Sequence, residues 1–246
     1  MRIRGRRRCK DCEREWSYYD TGSITCPNCG SLRSVGVGDR ERHTDAAAEL
    51  DLSPHRNAVG EFDEDASTGR HALPEDVLDD LKSDLRAYVR ERGFINGGEL
   101  RDVDDAHLAA NELLHAGDAY ARLRDVSEDE HLYVISLLRG ADRGERPSPE
   151  EVPPSMTAAR GLAYAQAVSA FRRDFSLWLD DNPDSDARRT LETLGDHVTR
   201  VEALEGDVSL RESETLVRVA RELAAYARDG DETALATARD RLARLS

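Results

Sequence analysis

Four cysteines near the start of the chain are the residues whose type and spacing could carry chemistry. They form two pairs, CKDC at 9–12 and CPNC at 26–29, with thirteen residues between the pairs. Two residues between paired cysteines let a tight turn direct both sulfurs at one ion, and thirteen residues suffice for a hairpin that brings the pairs together. The spacing therefore predicts one structural zinc ion bound by Cys9, Cys12, Cys26 and Cys29.

Two disulfides or a redox-active pair would be other uses of the same cysteines. The opening segment MRIRGRRR is charged and does not resemble a secretion signal, so we expect a reducing cytoplasm, where paired CxxC motifs are more often metal sites. A thioredoxin-type pair is disfavoured because no strand-helix-strand pattern surrounds the cysteines. Four thiolates leave no open coordination position for water, which predicts a structural ion and not a catalytic one.

Charge is distributed unevenly along the chain. Asp and Glu number 50 against 35 Lys and Arg, a net charge of −15. Residues 1–35 carry eight basic and four acidic side chains, a net charge of +4, which leaves −19 for the remainder. A strongly acidic surface stays hydrated where concentrated salt screens its self-repulsion. A GC-rich genome is the alternative source of this composition, but it does not explain so large an acidic excess, and we expect a salt-rich cytoplasm.

Residue composition and periodicity divide the chain into three segments. Residues 1–36 form the predicted small β unit with the zinc site, in which Trp16, Tyr18 and Tyr19 suggest one strand and residues 34–38 another. Residues 37–72 are predicted as an acidic polar linker, compatible with a short helix from Thr44 to Leu52. Residues 73–246 are predicted as an all-α helical bundle.

Helix signals are dense from residue 73 onward. Pro74 precedes an apolar face that ends before Gly93, a second helix is expected from about Asp104, and Ser127 with Glu130 forms a capping box for a third. Prolines require a loop over 144–154. A long helix follows, with its apolar seam at Tyr164, Val168, Phe171, Phe175 and Trp178, and three more are expected from about Ser185, Ser209 and Asp231. The predicted fold class is a small β zinc ribbon followed by a mainly α helical-bundle domain.

The remaining polar residues do not predict a catalytic site. His43, His55 and His71 lack metal-like spacing and are interpreted as solvated loop residues. His107, His115 and His131 are interpreted as ordinary polar or half-buried positions. Carboxylate pairs are frequent, as expected for so acidic a chain, and no phosphate-binding loop, nucleophile elbow or HExxH motif is present. No run approaches the ~18 apolar residues of a membrane span, so no membrane partner is predicted. No motif in the sequence identifies a small-molecule substrate.

The cysteine knuckles resemble the transcription factor IIB-type zinc ribbons of archaea, through CKDC at 9–12, the aromatic Trp16, and CPNCG at 26–30. The whole chain is also similar to a haloarchaeal family of unassigned function with that ribbon at its head and a helical body, which includes RGFI at 92–95 and GEL at 98–100. The resemblance implies zinc binding and a haloarchaeal cytoplasm. Glu13 departs from the pattern, because these ribbons usually place glycine after the first pair.

The function predicted first is a non-enzymatic zinc-ribbon protein that contacts the transcription machinery or nucleic acid through its N-terminal segment. Arginines between Arg2 and Lys10, with the aromatic residues of the strand, are what such contacts use. Zinc on four thiolates trims the local charge to about +2, and concentrated salt weakens phosphate binding, so a protein partner is preferred. An adaptor or self-associating protein is the alternative, and an enzyme is the third hypothesis, which a cleft with converging buried polar groups would favour.

Overall fold

The first strands of the chain form a small antiparallel sheet. The structure, a computed structural model, describes residues 1–46, 48–65 and 73–245, with residues 61–65 described by their backbone alone. Strand β2 (Arg6–Cys9) lies between β3 (Glu15–Ser17) and β4 (Ser34–Val37). The predicted strand near residues 34–38 is therefore confirmed.

A second, two-stranded ladder closes this sheet unit at its base. Strand β1 (Arg2–Ile3) pairs antiparallel with β5 (Glu41–Arg42), with Ile3 opposite Glu41. Residues 1–42, called the head below, thus begin and end side by side. The helical part over residues 73–245 is called the body.

The strand predicted through Tyr18 and Tyr19 is wrong beyond Ser17. Residues Tyr18–Thr21 form one helical turn, α1, because the Ser17 side chain accepts from Asp20 N and Gly22 ends the turn at φ 61°. Glycine adopts this left-handed conformation without steric cost. The turn directs the ring of Tyr19 back toward the sheet, where its hydroxyl donates to the carbonyl of Ile3 at 3.0 Å.

Eight longer helices follow the head in the described part of the chain. They are α2 (Ser53–Asp65), α3 (Glu75–Glu91), α4 (Asp105–Tyr120), α5 (Glu128–Gly140), α6 (Thr157–Asp181), α7 (Ser185–Ala203), α8 (Leu210–Asp229) and α9 (Glu232–Ala243). Five of them begin at a side chain that accepts backbone N–H groups, namely Asp104, Ser127, Asp184, Ser209 and Asp231. The capping box of Ser127 and Glu130 is present as predicted.

A β-hairpin interrupts the segment predicted as all-α. Strands β6 (Ile95–Asn96) and β7 (Glu99–Leu100) pair around Gly97 and Gly98, which have φ values of 59° and 86°. Two consecutive positive φ values are the requirement of the tightest hairpin turns. The chain between α3 and α4 is thus a small two-stranded sheet and not a helix.

The apolar seams predicted from periodicity form the core of the body. Tyr164, Val168, Phe171 and Phe175 on α6 are fully buried, whereas Trp178 is partly buried. One apolar cluster gathers around α6, α7, α8 and α9, and a second gathers around α3, α4 and α5. Neither cluster includes a residue of the head. The predicted fold class, a small β unit with cysteines followed by a mainly α-helical body, is confirmed.

The helix predicted from Thr44 to Leu52 is wrong, because the described residues of that stretch are not helical. Thr44 donates its hydroxyl to the buried carboxylate of Asp174 at 2.6 Å, and Asp45 is hydrogen-bonded to the Arg92 guanidinium at 3.0 Å. These bonds hold the backbone extended along the body. The helix begins only at Ser53, followed by a proline in the first turn, where its missing N–H costs nothing.

Gly93 was predicted to end the helix, but its role is to permit a close backbone contact. Helix α3 already ends at Glu91, and a Cβ on Gly93 would lie 2.3 Å from the carbonyl carbon of Thr44. Only glycine lets the two backbone segments approach this closely. The residue therefore allows the extended segment to pack against the end of α3.

The linker histidines are buried, contrary to the prediction that they are solvated. His43 and His55 are 8% and 7% exposed. The ring of His43 lies 4.9 Å from the ring of Tyr19, and Nε2 of His55 lies 2.9 Å from a carboxylate oxygen of Asp84. His71 lies outside the described residues.

His107 is the most deeply buried histidine of the described chain, and it should make folding sensitive to acid. It is fully buried against the edge of Phe94, and neither ring nitrogen has a hydrogen-bond partner in the described structure. Desolvation lowers the pKa of His107 to about 4. Below pH 6.5 the unfolded chain therefore binds a proton that the folded chain refuses until about pH 4, so stability falls as pH drops through this window.

We expect the His107→Leu variant to be at least as stable as the parent at pH 7 and to lose this acid sensitivity. The histidine contribution amounts to at most about 3 kcal/mol across the window. Urea unfolding at pH 7 and pH 5 measures it, and His197→Leu on α7 is the control for loss of a half-buried histidine. Parallel pH profiles for the parent and His107→Leu would contradict the assignment.

Candidate metal centre

The four predicted sulfurs lie together at one end of the head. All four Sγ atoms are within 4.8 Å of one another, with 3.6 Å between Cys9 and Cys29 and 3.5 Å between Cys12 and Cys26. Cys9 and Cys26 are buried, whereas Cys12 and Cys29 are exposed. These separations are much longer than a disulfide bond of about 2.05 Å, so the cysteines are free thiols.

The arrangement is compatible with a zinc ion. Zinc binds thiolates at about 2.3 Å, which puts tetrahedral sulfurs about 3.8 Å apart. The observed separations fall around that value. Four thiolates would fill the coordination shell, and the ion would fix the two knuckles to each other without an open position for water.

The first knuckle is held by strand β2 and by a strained residue. Cys9 ends β2, and its backbone N–H donates to the carbonyl of Arg14 at 2.9 Å. Glu13 has a φ of 60°. This is the position where the resembling ribbons place glycine, and the predicted departure is therefore accommodated by left-handed backbone strain.

The second knuckle has the glycine that the first one lacks. Gly30 has a φ of 71°, and its N–H donates to the carbonyl of Cys26 at 2.9 Å. Donors also approach the sulfurs, since Asp11 N lies 3.4 Å from Sγ of Cys9 and the Asn28 amide lies 3.7 Å from Sγ of Cys12. This role of Asn28 was not predicted. Its position between Cys26 and Cys29 could have indicated it, because side chains next to metal ligands often donate to them.

Hydrogen bonding within the cluster separates the pKa values of two thiols. The backbone N–H of Arg14 and the amide of Asn28 lower the pKa of Cys12 to about 6. The N–H of Ser31 also lowers the pKa of Cys29, but hydrogen bonding to Cys12, desolvation and the other thiols outweigh it and raise that pKa to about 12. Four thiolates cannot share so small a volume without a compensating charge, which a divalent ion would supply.

The matching family model spans nearly the whole chain. The family of unknown function DUF7117 matches residues 1–242. The chain belongs to this family. No curated protein and no solved structure matches it. Across the part of the DUF7117 chain that the structure describes, no helix is both long and apolar enough to cross a membrane.

Replacing Glu13 by glycine tests the strain in the first knuckle of this DUF7117 protein. Glycine adopts φ near 60° without the Cβ clash, so we expect Glu13→Gly to stabilise the metal-bound head by up to about 1 kcal/mol. Competition with a chromophoric zinc chelator measures the change as tighter metal retention. Glu13→Ala removes the carboxylate but keeps the Cβ, so it should show no such gain.

The head of the DUF7117 chain is attached to the body by a shared carboxylate. Asp181, at the end of α6, accepts from Arg2 and from Arg42, the latter at 2.7 Å through Nε. The side-chain amide of Asn96 also donates to the carbonyl of Tyr19 at 3.3 Å. Gly97 accommodates the Tyr19 ring, since a Cβ there would lie 2.7 Å from it. These contacts fix the orientation of the cysteine cluster relative to the helices.

Two aromatic side chains that were expected to contact a partner form hydrogen bonds within the DUF7117 head. The indole N–H of Trp16 donates to the carbonyl of Ser23 at 3.0 Å, and the half-buried Tyr19 accepts from Gly5 N at 3.1 Å. Their faces are therefore less available for base stacking than the sequence analysis assumed.

Several arginines of the head already have anionic partners. Arg8 pairs with Glu15 at 2.6 Å, and Arg33 pairs with Asp11 at 2.7 Å. Arg2 and Arg42 both pair with the Asp181 carboxylate. The basic character inferred from the composition of the DUF7117 chain is thus partly neutralised where the head folds and where it meets the body.

Exposed apolar side chains are concentrated in the head. Among the described residues, six large hydrophobic side chains are exposed, and four of them lie in the first 35 positions. Apart from Met1 these are Ile24, Leu32 and Val35, of which Leu32 is 69% exposed. Such groups gain free energy when a protein partner covers them.

Proposed function

We propose that this chain is a non-enzymatic zinc-ribbon protein whose head contacts a protein of the transcription machinery. The convergence of the four cysteine sulfurs within 4.8 Å carries the proposal, because it supplies the rigid metal-bound head that such a contact needs. The resemblance of both knuckles to transcription factor IIB-type ribbons supports the partner class. The body holds the head in a fixed orientation through Asp181.

A protein partner is favoured over nucleic acid by the surface of the head. Ion pairs occupy Arg8 and Arg33, and Trp16 is tied to the backbone of Ser23. Nucleic acid binding relies on unpaired basic groups and free aromatic faces. The exposed side chain of Leu32 instead fits the apolar centre of a protein interface.

Affinity purification of the tagged chain in its native salt tests this function. We expect transcription proteins to co-purify, to survive nuclease treatment, and to be lost with Leu32→Asp. Leu204→Asp introduces the same charge at an exposed leucine of the body and is the matched control. If nuclease releases every partner, or if only nucleic acid co-purifies, a protein contact by the head is excluded.

The acidic body should depend on salt for stability. If the charge of −19 outside the first 35 residues reflects a halophilic surface, cations must screen repulsion among crowded carboxylates such as Glu128 and Asp129. We expect the melting temperature of the helices to rise steadily from dilute buffer into molar KCl, while zinc remains bound through inner-sphere thiolate bonds. Circular dichroism and metal analysis on the same samples separate the two, and a flat melting temperature would contradict the salt-adapted surface.

A further inference from the structure

A cleft of about 680 Å³ lies between the outer face of α5 and the proline-rich loop that leads to α6. One wall is formed by α5, with Leu132 and Arg139, and the other by the loop, with Pro147 and Val152. The volume is typical of sites for small organic molecules. The cleft is remote in sequence from the cysteine knuckles.

A buried charged cluster lies behind the floor of this cleft. The Glu112 carboxylate on α4 accepts hydrogen bonds from the hydroxyl of Tyr133 at 2.6 Å, the hydroxyl of Tyr164 at 2.9 Å and Nε of Arg160 at 2.9 Å. Both Glu112 and Arg160 are fully buried, with exposures of 0% and 1%. Tyr133 is a member of the cluster that also lines the cleft.

Stability alone does not account for such a cluster. Desolvating two charges costs several kcal/mol, and apolar side chains of similar volume are usually as good or better in a core. Arg160 is not even fully satisfied, because Nη2 donates to the carbonyl of Pro147 at 2.5 Å whereas Nη1 is buried without a partner in the described structure. The cluster is therefore bonded to the cleft wall at Pro147 and retains one guanidinium nitrogen without a partner in the described structure.

The charged side chains of the cleft lining differ in their exposure. Arg146, whose side chain is 18% exposed, is the least exposed charged group of the lining. A guanidinium has five N–H donors. The hydroxyl of Tyr164 and the carboxylate of Asp105, at 3.0 Å, engage two of them.

Four carboxylates of the cleft lining are exposed at its rim, and two of them accept hydrogen bonds from this chain. Glu145 accepts from Arg143 at 2.9 Å, and Glu151 accepts from the backbone N–H of Ser148 at 2.7 Å. The other two, Asp129 and Glu150, are exposed, where water and salt screen them. The exposed Arg139 at the rim makes no ion pair with any described residue.

We propose that this cleft binds a small amphipathic anion, a carboxylate or phosphate carried on an apolar body. The anionic group lies toward Arg146 and Arg139, and the apolar body lies along Leu132, Ile135 and Val152. Charge-assisted hydrogen bonds to guanidinium fix the anion, and burial of the apolar body supplies most of the affinity. The site goes beyond the contact proposed for the head, and it requires no metal.

Displacement of a fluorescent anion from the full chain tests the charge of the ligand. The probe is 8-anilinonaphthalene-1-sulfonate, and the competitors are octanoate, octyl phosphate, octylamine and octanol. We expect octanoate or octyl phosphate to displace the probe at concentrations about tenfold lower than octylamine or octanol, because only the acids pair with guanidinium. The better of the two acids identifies the headgroup. Octylamine or octanol competing as well as both acids would overturn the proposal.

Substitution of two exposed wall residues tests whether the probe binds in the cleft, because neither residue supports the fold. Arg139→Glu and Leu132→Asp should each weaken displacement by the favoured acid about fivefold or more, with an unchanged melting temperature. Arg124→Glu and Leu204→Asp make the same chemical changes at exposed sites away from the cleft. Unchanged affinity in both cleft variants, or an equal loss in the controls, places the probe elsewhere and excludes the site.

Discussion

Replacing Cys26 by serine should release the metal ion from the head and leave the helices of the body intact. Protein purified without chelator should contain about one zinc per chain, and Cys26→Ser should contain almost none, because three thiolates bind much more weakly than four. The helices should persist, since neither apolar cluster of the body includes a residue of the head. Elemental analysis gives the metal content, and circular dichroism gives the helical signal.

A residue two positions before Cys26 offers a matched control for that experiment. Ile24 is exposed and is not a ligand, so Ile24→Ala should keep its zinc. A parent protein that carries no zinc and shows four titratable thiols, with the head still folded, would contradict the metal centre. Loss of the helical signal together with the metal in Cys26→Ser would show that the head contributes to the stability of the body.

Replacing Glu112 by glutamine should strongly destabilise the body. The variant keeps the size of the side chain but leaves the buried Arg160 guanidinium without its counter-charge. Breaking a buried ion pair in this way costs about 3–5 kcal/mol. At roughly 2–4 °C per kcal/mol for a chain of this size, the melting temperature should fall by about 10 °C.

The double variant Glu112→Leu with Arg160→Met separates charge from packing. Because both charges are then removed, most of the lost stability should return, and the coupling of the two changes measures their interaction. Asp240→Asn, which breaks an exposed pair with Arg244, is the surface control and should change stability by less than about 0.5 kcal/mol. A Glu112→Gln variant within about 1 kcal/mol of the parent would show that Arg160 is compensated by other groups.

Local signals made much of this fold predictable from the sequence. Helix starts at Asp104, Ser127 and Ser209 depend on a side chain that reaches its own backbone, so a few neighbouring residues decide them. The metal knuckles are local in the same sense, since each CxxC turn is complete within four residues. The apolar seam of α6 was predictable because its residues recur every three to four positions, which is the period of an α-helix.

Long-range polar contacts were not predictable in this way. Glu112 and Arg160 are 48 positions apart, and in a chain with 50 acidic residues no pattern distinguishes one carboxylate from another. The same holds for Thr44, whose bond to Asp174 replaces the helix expected there with an extended segment. The buried charges behind the α5 cleft and the anchoring of the head therefore became visible only when the elements were packed together.

The pairing of β1 with β5 places the two ends of the head side by side, so the head could be removed or transferred as a unit. Ile3 and Glu41 lie directly opposite each other, so their Cα atoms are about 5 Å apart, a distance that a two-residue turn can bridge. Everything between them could be excised and replaced by Asn-Gly, with Arg2 and Arg42 still bound to Asp181. Conversely, residues 3–41 could be grafted into a surface hairpin of another protein, which would carry the cysteine cluster with it as a self-contained insert.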